Sequence, residues 1–373
     1  MPVVPKNPFR VAERVRGPYF TGRAPELAAV VAAMRRAARL LVRGPARMGA
    51  SSLLGVAAET VRAAGGVVLM VDLSIITGLA EAADRLLAAV SREASWRPQL
   101  SSWAVSLAPQ VVLGWEAPDR PRLSVSGSSW PRSAEGEKAL LKGVLKRLGE
   151  AGVGEGAVVV LDGLGRLLEL GGESAAVLLR EAMADGAMGW VCTGSGEALG
   201  SALERAGVLH EFFETMALGP IDAGQLGGWI DERMRGSGVA SDGVGAAVVA
   251  RAGPHTQDVV QVARALWFRS VLRGRALASQ VEDAVLDVVR GQDAALRRTW
   301  SDLTPVQQRV LRALAAGAEQ LFGAESRARF RLGPASSVGT AVATLERRRV
   351  LERGSDGVAF DSPFFRTWVQ LET

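Results

Sequence analysis

Residues 40–54 have the sequence LLVRGPARMGASSLL. The apolar run Leu40–Val42 is typical of a buried strand, and the apolar periodicity that begins after Ser51 is typical of a helix. Between them lies the turn Gly44–Gly49, which has a glycine at each end. A strand, a glycine-containing turn and a helix in this order form the layout of a phosphate-binding loop. The stretch therefore predicts an α/β core in which this loop lies at one edge of a parallel sheet.

The loop departs from the usual pattern at one position. In the pattern G-x-x-x-x-G-K-[ST], backbone N–H groups surround phosphate oxygens, the lysine contacts the β/γ-phosphates and the hydroxyl holds Mg²⁺. Gly44 and Gly49 have the required spacing, and Ser51 and Ser52 follow them. The lysine position, however, is Ala50. We therefore expect a phosphate-loop fold without its normal cation; the alternative is a glycine-rich corner that binds no ligand.

The use of arginine in place of lysine along the chain bears on the interpretation of Ala50. Of the 44 basic residues, all but the four lysines at positions 6, 138, 142 and 146 are arginine. Because arginine stands in for lysine almost everywhere, alanine at position 50 is a real loss of charge. Arg43 and Arg47 are close in sequence, and one alternative is that Arg47 supplies the missing charge.

Length and composition narrow the class of protein. The chain has 373 residues, enough for two or three domains, and its 48% of apolar residues can bury a substantial core. The single cysteine, Cys192, provides no disulfide framework and fits a reducing cytoplasm. His210 and His255 are far apart in sequence, which argues against a metal cluster. No apolar run has the length of a membrane span, and the N-terminus lacks a secretory signal. We expect a cytoplasmic protein with no membrane contact.

Charge is concentrated at the start of the chain. The net charge is +5, whereas residues 1–50 alone carry ten basic and two acidic residues, which is +8. Such a segment favours contact with nucleic acid, nucleotide or an acidic partner. The alternative is an arginine-rich, solvated helix face.

Two further predicted strands have an aspartate at their end. Asp72 lies near the end of the apolar run Val67–Leu73, and Asp162 follows Val158–Leu161. Four apolar residues followed by aspartate is the form of a Walker B element, whose carboxylate helps hold Mg²⁺. Ser51 and Asp162 are therefore the predicted metal ligands. The next residue is normally a glutamate that polarises the attacking water, and here it is Gly163.

A fourth strand, Met188–Cys192, is followed by Thr193 and Ser195. Hydroxyl groups at this strand end are suited to sensing a γ-phosphate, although they are also ordinary turn residues. An irregular segment, 95–134, contains Trp96, Trp103, Trp115 and Trp130 and predicts a small inserted hairpin. Its tryptophans are either core anchors or a platform on which bases stack.

The last part of the chain predicts three helices and a β-hairpin, which is a winged helix. The third helix follows Ser336–Ser337, which we expect to cap it, and ends near Arg347, Arg348 and Arg349. These arginines are the candidate nucleic-acid contacts. Residues 300–373 carry ten arginines and eight acidic residues, so the alternative is a winged helix that packs against protein.

The order of these segments resembles the archaeal-type AAA+/STAND ATPases, which are similar to origin-recognition ATPases. The segments that carry the resemblance are PYFTGR (18–23), GPARMGASSLL (44–54), VVVLDGLGRL (158–167), VCTGS (191–195), LGPIDAGQ (218–225) and RAGPHTQDVVQVARALW (251–267). The resemblance implies a P-loop NTPase core, a helical lid, a winged helix, ATP or ADP with Mg²⁺, and self-assembly. It also places Gly22 and Arg23 near the adenine. Gly253–His255 reads Gly-Pro-His where the family has Gly-His-Pro or similar.

These observations lead to three hypotheses. The first is a catalytically degenerate pseudo-ATPase, not an enzyme, that serves as a scaffold or adaptor with weak or absent nucleotide binding. The second is an active ATPase with a non-standard basic residue, and the third is a winged-helix DNA-binding regulator. The losses at positions 50 and 163 are independent, which favours natural decay over engineering. The predicted division is an arm (1–22), an AAA+-like core (23–217), a helical lid (218–299) and a winged helix (300–373).

Overall fold

The computed structural model describes residues 6–11, 13–150, 156–184, 188–195, 197–318, 320–354 and 357–372. These residues fold into two compact units. One comprises Arg14–Gly219, and the other combines Met1–Glu13 with Pro220–Thr373. The described residues before Arg14 thus belong to the same unit as the segment that begins at Pro220.

The first unit is an α/β domain built on a five-stranded sheet. Its helices and strands, in chain order, are α1 (Ala24–Arg35), β1 (Arg39–Arg43), α2 (Ala50–Ala63), β2 (Val68–Asp72), α3 (Leu79–Arg92), α4 (Leu100–Ser106), β3 (Val111–Ala117), β4 (Arg120–Val125), α5 (Ala134–Glu150), β5 (Val158–Asp162), α6 (Leu164–Ala184), β6 (Gly189–Gly194), α7 (Glu197–Leu203) and β7 (Glu214–Ala217).

The sheet has the strand order β2-β5-β6-β1-β7, and each pairing in it is parallel. Alternate residues of β5 enter two different cores. Val159 and Leu161 pack with α3, α5 and α6 on one face, and Val158 and Val160 pack with α1 and α2 on the other. Burial on both faces explains the continuous apolar strands and confirms the predicted α/β class.

The predicted hairpin in the insertion is confirmed as the antiparallel pair β3–β4. The four tryptophans of segment 95–134 divide into two groups. Trp96 and Trp103 are fully buried in the core that contains α3, with their ring centroids 6.0 Å apart. Trp115 is 67% exposed, and Trp130 is also exposed. The first pair are core anchors, while the second pair face solvent.

The second unit is helical apart from one hairpin. Its elements are α8 (Ala223–Gly236), α9 (Val244–Ala252), α10 (Thr256–Ser270), α11 (Val281–Gly291), α12 (Asp293–Ser301), α13 (Pro305–Ala315), α14 (Ala324–Phe330), α15 (Ala335–Arg347), β8 (Leu351–Gly354), β9 (Gly357–Phe360) and α16 (Pro363–Glu372). Helices α13–α15 and the hairpin β8–β9 form the predicted winged helix, to which α16 adds a further helix.

Lid and winged helix share one hydrophobic core within this unit. His255, at the N-cap of α10, is buried, and its Nε2 lies 3.8 Å from Glu352 Oε2 on β8. Asp361 completes a group whose possible ligand atoms lie within 4.8 Å of one another. The two histidines are far apart in sequence, but the fold thus brings His255 to carboxylates of the wing.

Helix α1 ends at Arg35, because Ala37 adopts a positive φ of 52° and β1 begins at Arg39. The expected Ser336–Ser337 cap is wrong, since α15 begins at Ala335 and its N-cap is Pro334. The described helices include none with the length and apolar character needed to cross a bilayer.

Candidate functional site

The predicted site residues of the first unit meet at the carboxyl edge of the sheet. Asp72 and Asp162 are register partners on β2 and β5, and Asp162 is in turn the partner of Thr193 on β6. Arg43, at the end of β1, pairs with Gly194 on β6. Because parallel strands end at the same edge, the loop after β1 lies beside the strand that carries Thr193. Open α/β sheets bind ligands at this edge.

Glycine is required at both ends of the phosphate loop. Gly49 has a φ of 91° and is the N-cap of α2, a conformation that L side chains rarely adopt. A Cβ atom on Gly44 would lie 2.5 Å from the carbonyl oxygen of Leu218, so no side chain fits there. Arg47, between them, also has a positive φ, of 68°. The loop thus presents the N-terminus of a 14-residue helix, whose dipole favours an anion.

Three small residues begin helix α2. Ala50, at the lysine position, is its first residue and packs against the core beneath the loop. Ser51 follows and is half-buried. Ser52 is already engaged, because its Oγ accepts a hydrogen bond from the backbone N–H of Val15 at 3.1 Å. The helix start therefore provides backbone dipoles and hydroxyls but no side-chain cation of its own.

Arg23 is a structural part of the loop. Its side chain is only 3% exposed, and its Nη2 donates to the carbonyl oxygens of Met48 at 3.0 Å and Gly219 at 2.6 Å. Its Nη1 donates to Glu26 at 2.8 Å. Gly22, just before it, has a φ of 71°. Arg23 therefore fixes the phosphate loop through a loop carbonyl.

Asp162 is buried, and both of its carboxylate oxygens accept hydrogen bonds. Thr193 Oγ1 donates to Oδ1 at 2.7 Å, and Arg14 Nη2 donates to Oδ2 at 3.0 Å. The backbone N–H of Gly163 donates in turn to Thr193 Oγ1 at 3.0 Å. The predicted metal ligand and the predicted sensor thus form one hydrogen-bonded group.

Gly163 occupies a position that only glycine fits. Its φ is 94°, and a Cβ atom there would lie 2.8 Å from both the backbone nitrogen and Cα of Ser74. Backbone atoms cannot move aside as the end of a flexible side chain can. The backbone conformation at Gly163 therefore does not accommodate the glutamate of a hydrolytic Walker B element.

The remaining candidate of this edge, Ser195, lies just beyond the end of β6. Its carbonyl oxygen would be 2.1 Å from a Cβ atom on Gly165, so the chain passes close to the start of α6.

The three arginines predicted to contact nucleic acid lie in the winged helix of the second unit. Arg348 Nη1 donates to the Asp302 carbonyl oxygen at 3.0 Å, whereas exposed Arg347 contacts only Thr344 of its own helix among the bonds described. Arg349 has a positive φ of 55°.

The residues present do not fit Mg²⁺ as the phosphate-loop pattern uses it. The lysine is replaced by Ala50, and the Oδ2 of Asp162 faces a guanidinium instead of an open coordination position. The N-terminus of α2 retains the backbone geometry that attracts a phosphate group.

The comparisons with known proteins rest on structure. The chain aligns with the Walker-type ATPase of Pyrococcus abyssi over 97% of its own length and 99% of the other, with a TM-score of 0.63 and 16% identity. The chain has a Walker-type ATPase fold. The ORC1 protein of Aeropyrum pernix, solved in complex with DNA, aligns over 96% and 94% of the two chains, with a TM-score of 0.53 and 14% identity.

Within this Walker-type fold, residues 294–371 match a family described as a probable winged helix domain. A search of curated protein sequences returned no match. The structural likeness confirms the predicted fold class, including the C-terminal winged helix.

Sequence reasoning missed one important residue at this edge of the sheet, Arg14. Its Nη2 donates to Asp72 Oδ2 at 2.9 Å and to Asp162 Oδ2 at 3.0 Å. The only signal was the concentration of arginine in residues 1–50, which favoured an acidic partner. For Arg14, that partner lies in the chain itself.

Proposed function

We propose that the chain is a catalytically degenerate AAA+/STAND-type pseudo-ATPase that acts as a scaffold or adaptor. The observation that carries this proposal is Gly163, where a Cβ atom would lie 2.8 Å from the Ser74 backbone. A carboxylate that polarises the attacking water is worth several orders of magnitude in rate, and the backbone conformation at Gly163 does not accommodate one. Ala50 removes the phosphate-binding amine independently.

Nucleotide binding, in this proposal, is weak or absent. The groups that would bind a phosphate are the backbone of Gly44–Gly49 and the hydroxyl of Ser51, while Ser52 Oγ already accepts a hydrogen bond from the Val15 N–H. Gly22 and Arg23 would lie on the adenine side, Arg23 acting through the loop. Thr193 and Ser195 would lie on the far side. ATP or ADP would then occupy the loop without the lysine contact that supplies much of the affinity.

Exposed apolar side chains support the proposal that the chain binds a protein partner. Phe268 lies near the end of α10, and Leu272, four residues later and just beyond the helix, is 96% exposed. Trp115, on the hairpin, is also exposed. Large apolar groups that stay in solvent favour contact with another protein or another copy of the chain. The proposed location is the cytoplasm, where Cys192 stays reduced.

The proposal is tested by nucleotide binding and turnover on the purified chain. We expect no ATP hydrolysis above background and a weak or undetectable calorimetric signal for ATP and ADP with Mg²⁺. Ala50→Lys should gain nucleotide affinity by at least about tenfold, because it restores the missing charge. Ala46→Lys is the matched control, since it adds the same charge at an exposed loop position.

Hydrolysis by the unmodified chain that is abolished by Asp162→Asn would overturn the proposal and favour an active ATPase with a displaced basic residue. The scaffold role is tested by light scattering with size-exclusion chromatography. A concentration-independent monomer that captures no partner in cross-linking would contradict it.

DNA binding is a second candidate function, favoured by the outer face of α15. Ser336, Ser337, Thr340 and Arg347 are exposed there, and small hydroxyl side chains suit close approach to a duplex. A structural neighbour was solved in complex with DNA. Binding to duplex DNA should weaken with salt and with Arg347→Gln. Arg366→Gln is the matched control, because that exposed arginine lies on α16.

A further inference from the structure

Two carboxylates lie side by side at the carboxyl edge of the sheet. Asp72 and Asp162 are register partners at the ends of the neighbouring parallel strands β2 and β5. Neighbouring strands are about 4.8 Å apart, so two ionised carboxylates here repel each other. Burial of Asp162 increases that repulsion, because little water screens it. The pair therefore needs a cation.

Arg14 supplies that cation from within the chain. A single guanidinium nitrogen, Nη2, donates to both Asp72 Oδ2 at 2.9 Å and Asp162 Oδ2 at 3.0 Å. The side chain of Arg14 is only 36% exposed, while that of Asp162 is almost fully buried. The bridge between the two carboxylates is thus partly shielded from solvent, where ion pairs resist screening by salt.

The backbone around Arg14 is fixed against helix α2. The N–H of Val15 donates to Ser52 Oγ at 3.1 Å, and Arg16 Nη1 pairs with Glu59 Oε1 at 2.7 Å. A Cβ atom on Gly55 would lie 3.9 Å from Arg14 Cδ, so the side chain extends along the first turns of this helix. Segment 14–16 therefore delivers the guanidinium to the acidic pair from the side of the phosphate loop.

We propose that Arg14 is an internal cation that takes the place of a divalent metal at Asp72 and Asp162. The inference rests on the proposed function, since it explains how a degenerate site stays folded without Mg²⁺. Two negative charges meet one fixed positive charge, and the oxygens that a metal would use already accept hydrogen bonds. A dication would have to displace the guanidinium and would be repelled by it.

The test uses the metal alone, without nucleotide, on the full chain. MnCl₂ is titrated and free Mn²⁺ is followed by electron paramagnetic resonance, and thermal unfolding is recorded with MgCl₂ and with EDTA. We expect the unmodified chain to show no saturable Mn²⁺ binding and no difference between MgCl₂ and EDTA. Arg14→Gln should bind one Mn²⁺ at least about tenfold more tightly and should be stabilised by MgCl₂.

Arg16→Gln is the matched control, because it removes the same charge two residues away but leaves the acidic pair bridged. It should behave as the unmodified chain does. Arg14→Gln combined with Asp72→Asn should lose the metal response, since one carboxylate of the pair is gone. If Arg14→Gln fails to fold in EDTA, its refolding yield in MgCl₂ against KCl of equal ionic strength is the readout.

Saturable Mn²⁺ binding by the unmodified chain, equal to that of Arg14→Gln, would overturn the inference. So would an Arg14→Gln protein that responds to metal no more than Arg16→Gln, or one that refolds equally poorly in both salts. Because the assay contains no nucleotide, its result is separate from ATP turnover. If the unmodified chain hydrolysed ATP but bound no Mn²⁺ in the absence of nucleotide, the proposed function would be contradicted. The expected effect of Arg14→Gln on Mn²⁺ binding would be unchanged.

Discussion

The hydroxyl of Thr193 donates a hydrogen bond to Asp162 Oδ1 at 2.7 Å. The same oxygen accepts a hydrogen bond from the backbone N–H of Gly163 at 3.0 Å. The hydroxyl at the end of β6 thus fixes the orientation of a buried carboxylate on β5 and satisfies the first N–H after that strand. A residue expected to sense a phosphate is, in this fold, a link between two strand ends. Its contribution to stability can be measured without any ligand.

Thr193→Val should destabilise the first unit by about 1–3 kcal/mol, because it leaves the Gly163 N–H and one Asp162 oxygen without their partner. Valine has nearly the shape of threonine, so the packing is conserved. Thr193→Ser keeps the hydroxyl and is the control. Urea unfolding followed by circular dichroism measures the difference, and equal stability of the two variants would contradict the contact.

Gly163→Ala separates the two reasons for glycine at that position. Gly65 also has a positive φ, of 86°, but a Cβ atom on it would meet nothing within 4 Å. Gly65→Ala should therefore cost only about 1 kcal/mol of backbone strain. Gly163→Ala should cost at least about 2 kcal/mol more, because its Cβ atom meets the Ser74 backbone. Comparable melting temperatures for the two variants would show that the loop after β2 moves aside.

Arg23→Met should destabilise the phosphate loop, since it removes the donor to the buried carbonyl oxygen of Met48 and to that of exposed Gly219. We expect a loss of about 2–4 kcal/mol in the free energy of unfolding. Arg35→Met is the control, because exposed Arg35 lies at the opposite end of helix α1, of which Arg23 is the N-cap. It should change the free energy of unfolding by less than about 0.5 kcal/mol. A small effect of Arg23→Met would mean that the loop is held by its backbone alone.

The second unit should lose stability in acid partly through Asp287. Hydrogen bonds from Arg269 hold the pKa of the Asp287 carboxyl below its usual value. A lowered folded-state pKa gives stability that is present above the unfolded pKa and is lost as pH falls through the folded pKa. Arg269→Gln should therefore reduce the dependence of the unfolding free energy on pH below about 4.

Arg290→Gln is the control for that comparison. Its guanidinium lies farther from Asp287, at 3.7 Å, and is mostly exposed, so it lowers the pKa of this carboxyl least of the causes. The two variants remove the same charge. If both variants changed the pH dependence of the unfolding free energy equally at low pH, the cause would be a general charge effect and not the Arg269–Asp287 pair.

Cys192 should report the opening of the sheet. The thiol is fully buried on β6, and burial raises its pKa well above the ordinary value. Because the chain has one cysteine, a thiol reagent follows a single site. Labelling should be at least about 100-fold slower in the native protein than in urea, since it requires opening of the core. Rapid labelling of native protein would contradict the packing around β6.

The sequence predicted those elements whose residues carry a local pattern. Strands β1, β2 and β5 are continuous apolar runs, and Thr304 begins α13 through a capping box with Gln307, so both kinds of element can be located from neighbouring residues. Strand β7 has the sequence ETMA and lies exposed at a sheet edge, so it has no apolar run to reveal it. Helix α12 has no buried residue, and its contact with the core is made by partly buried side chains such as Leu296 and Trp300.

The site itself was predictable only in part. Asp162 and Thr193 end apolar strands, and this pattern placed them at one edge. The bond between Arg14 and Asp162 joins residues 148 positions apart, so no local pattern contains it. The close approach of Gly163 to Ser74 likewise depends on how β2 and β5 pair, which only the folded sheet determines.

Phe9 is buried in the core of residues 220–373 and stacks edge-on against Trp229, with ring centroids 5.7 Å apart. Arg233 also donates to the Pro8 carbonyl oxygen across 225 positions of chain. During synthesis, this phenylalanine emerges long before helix α8 exists to cover it. The first unit is therefore translated as an insert between two pieces of the second. A ribosome must synthesise the chain beyond Arg233 before Pro8 and Phe9 can reach these partners.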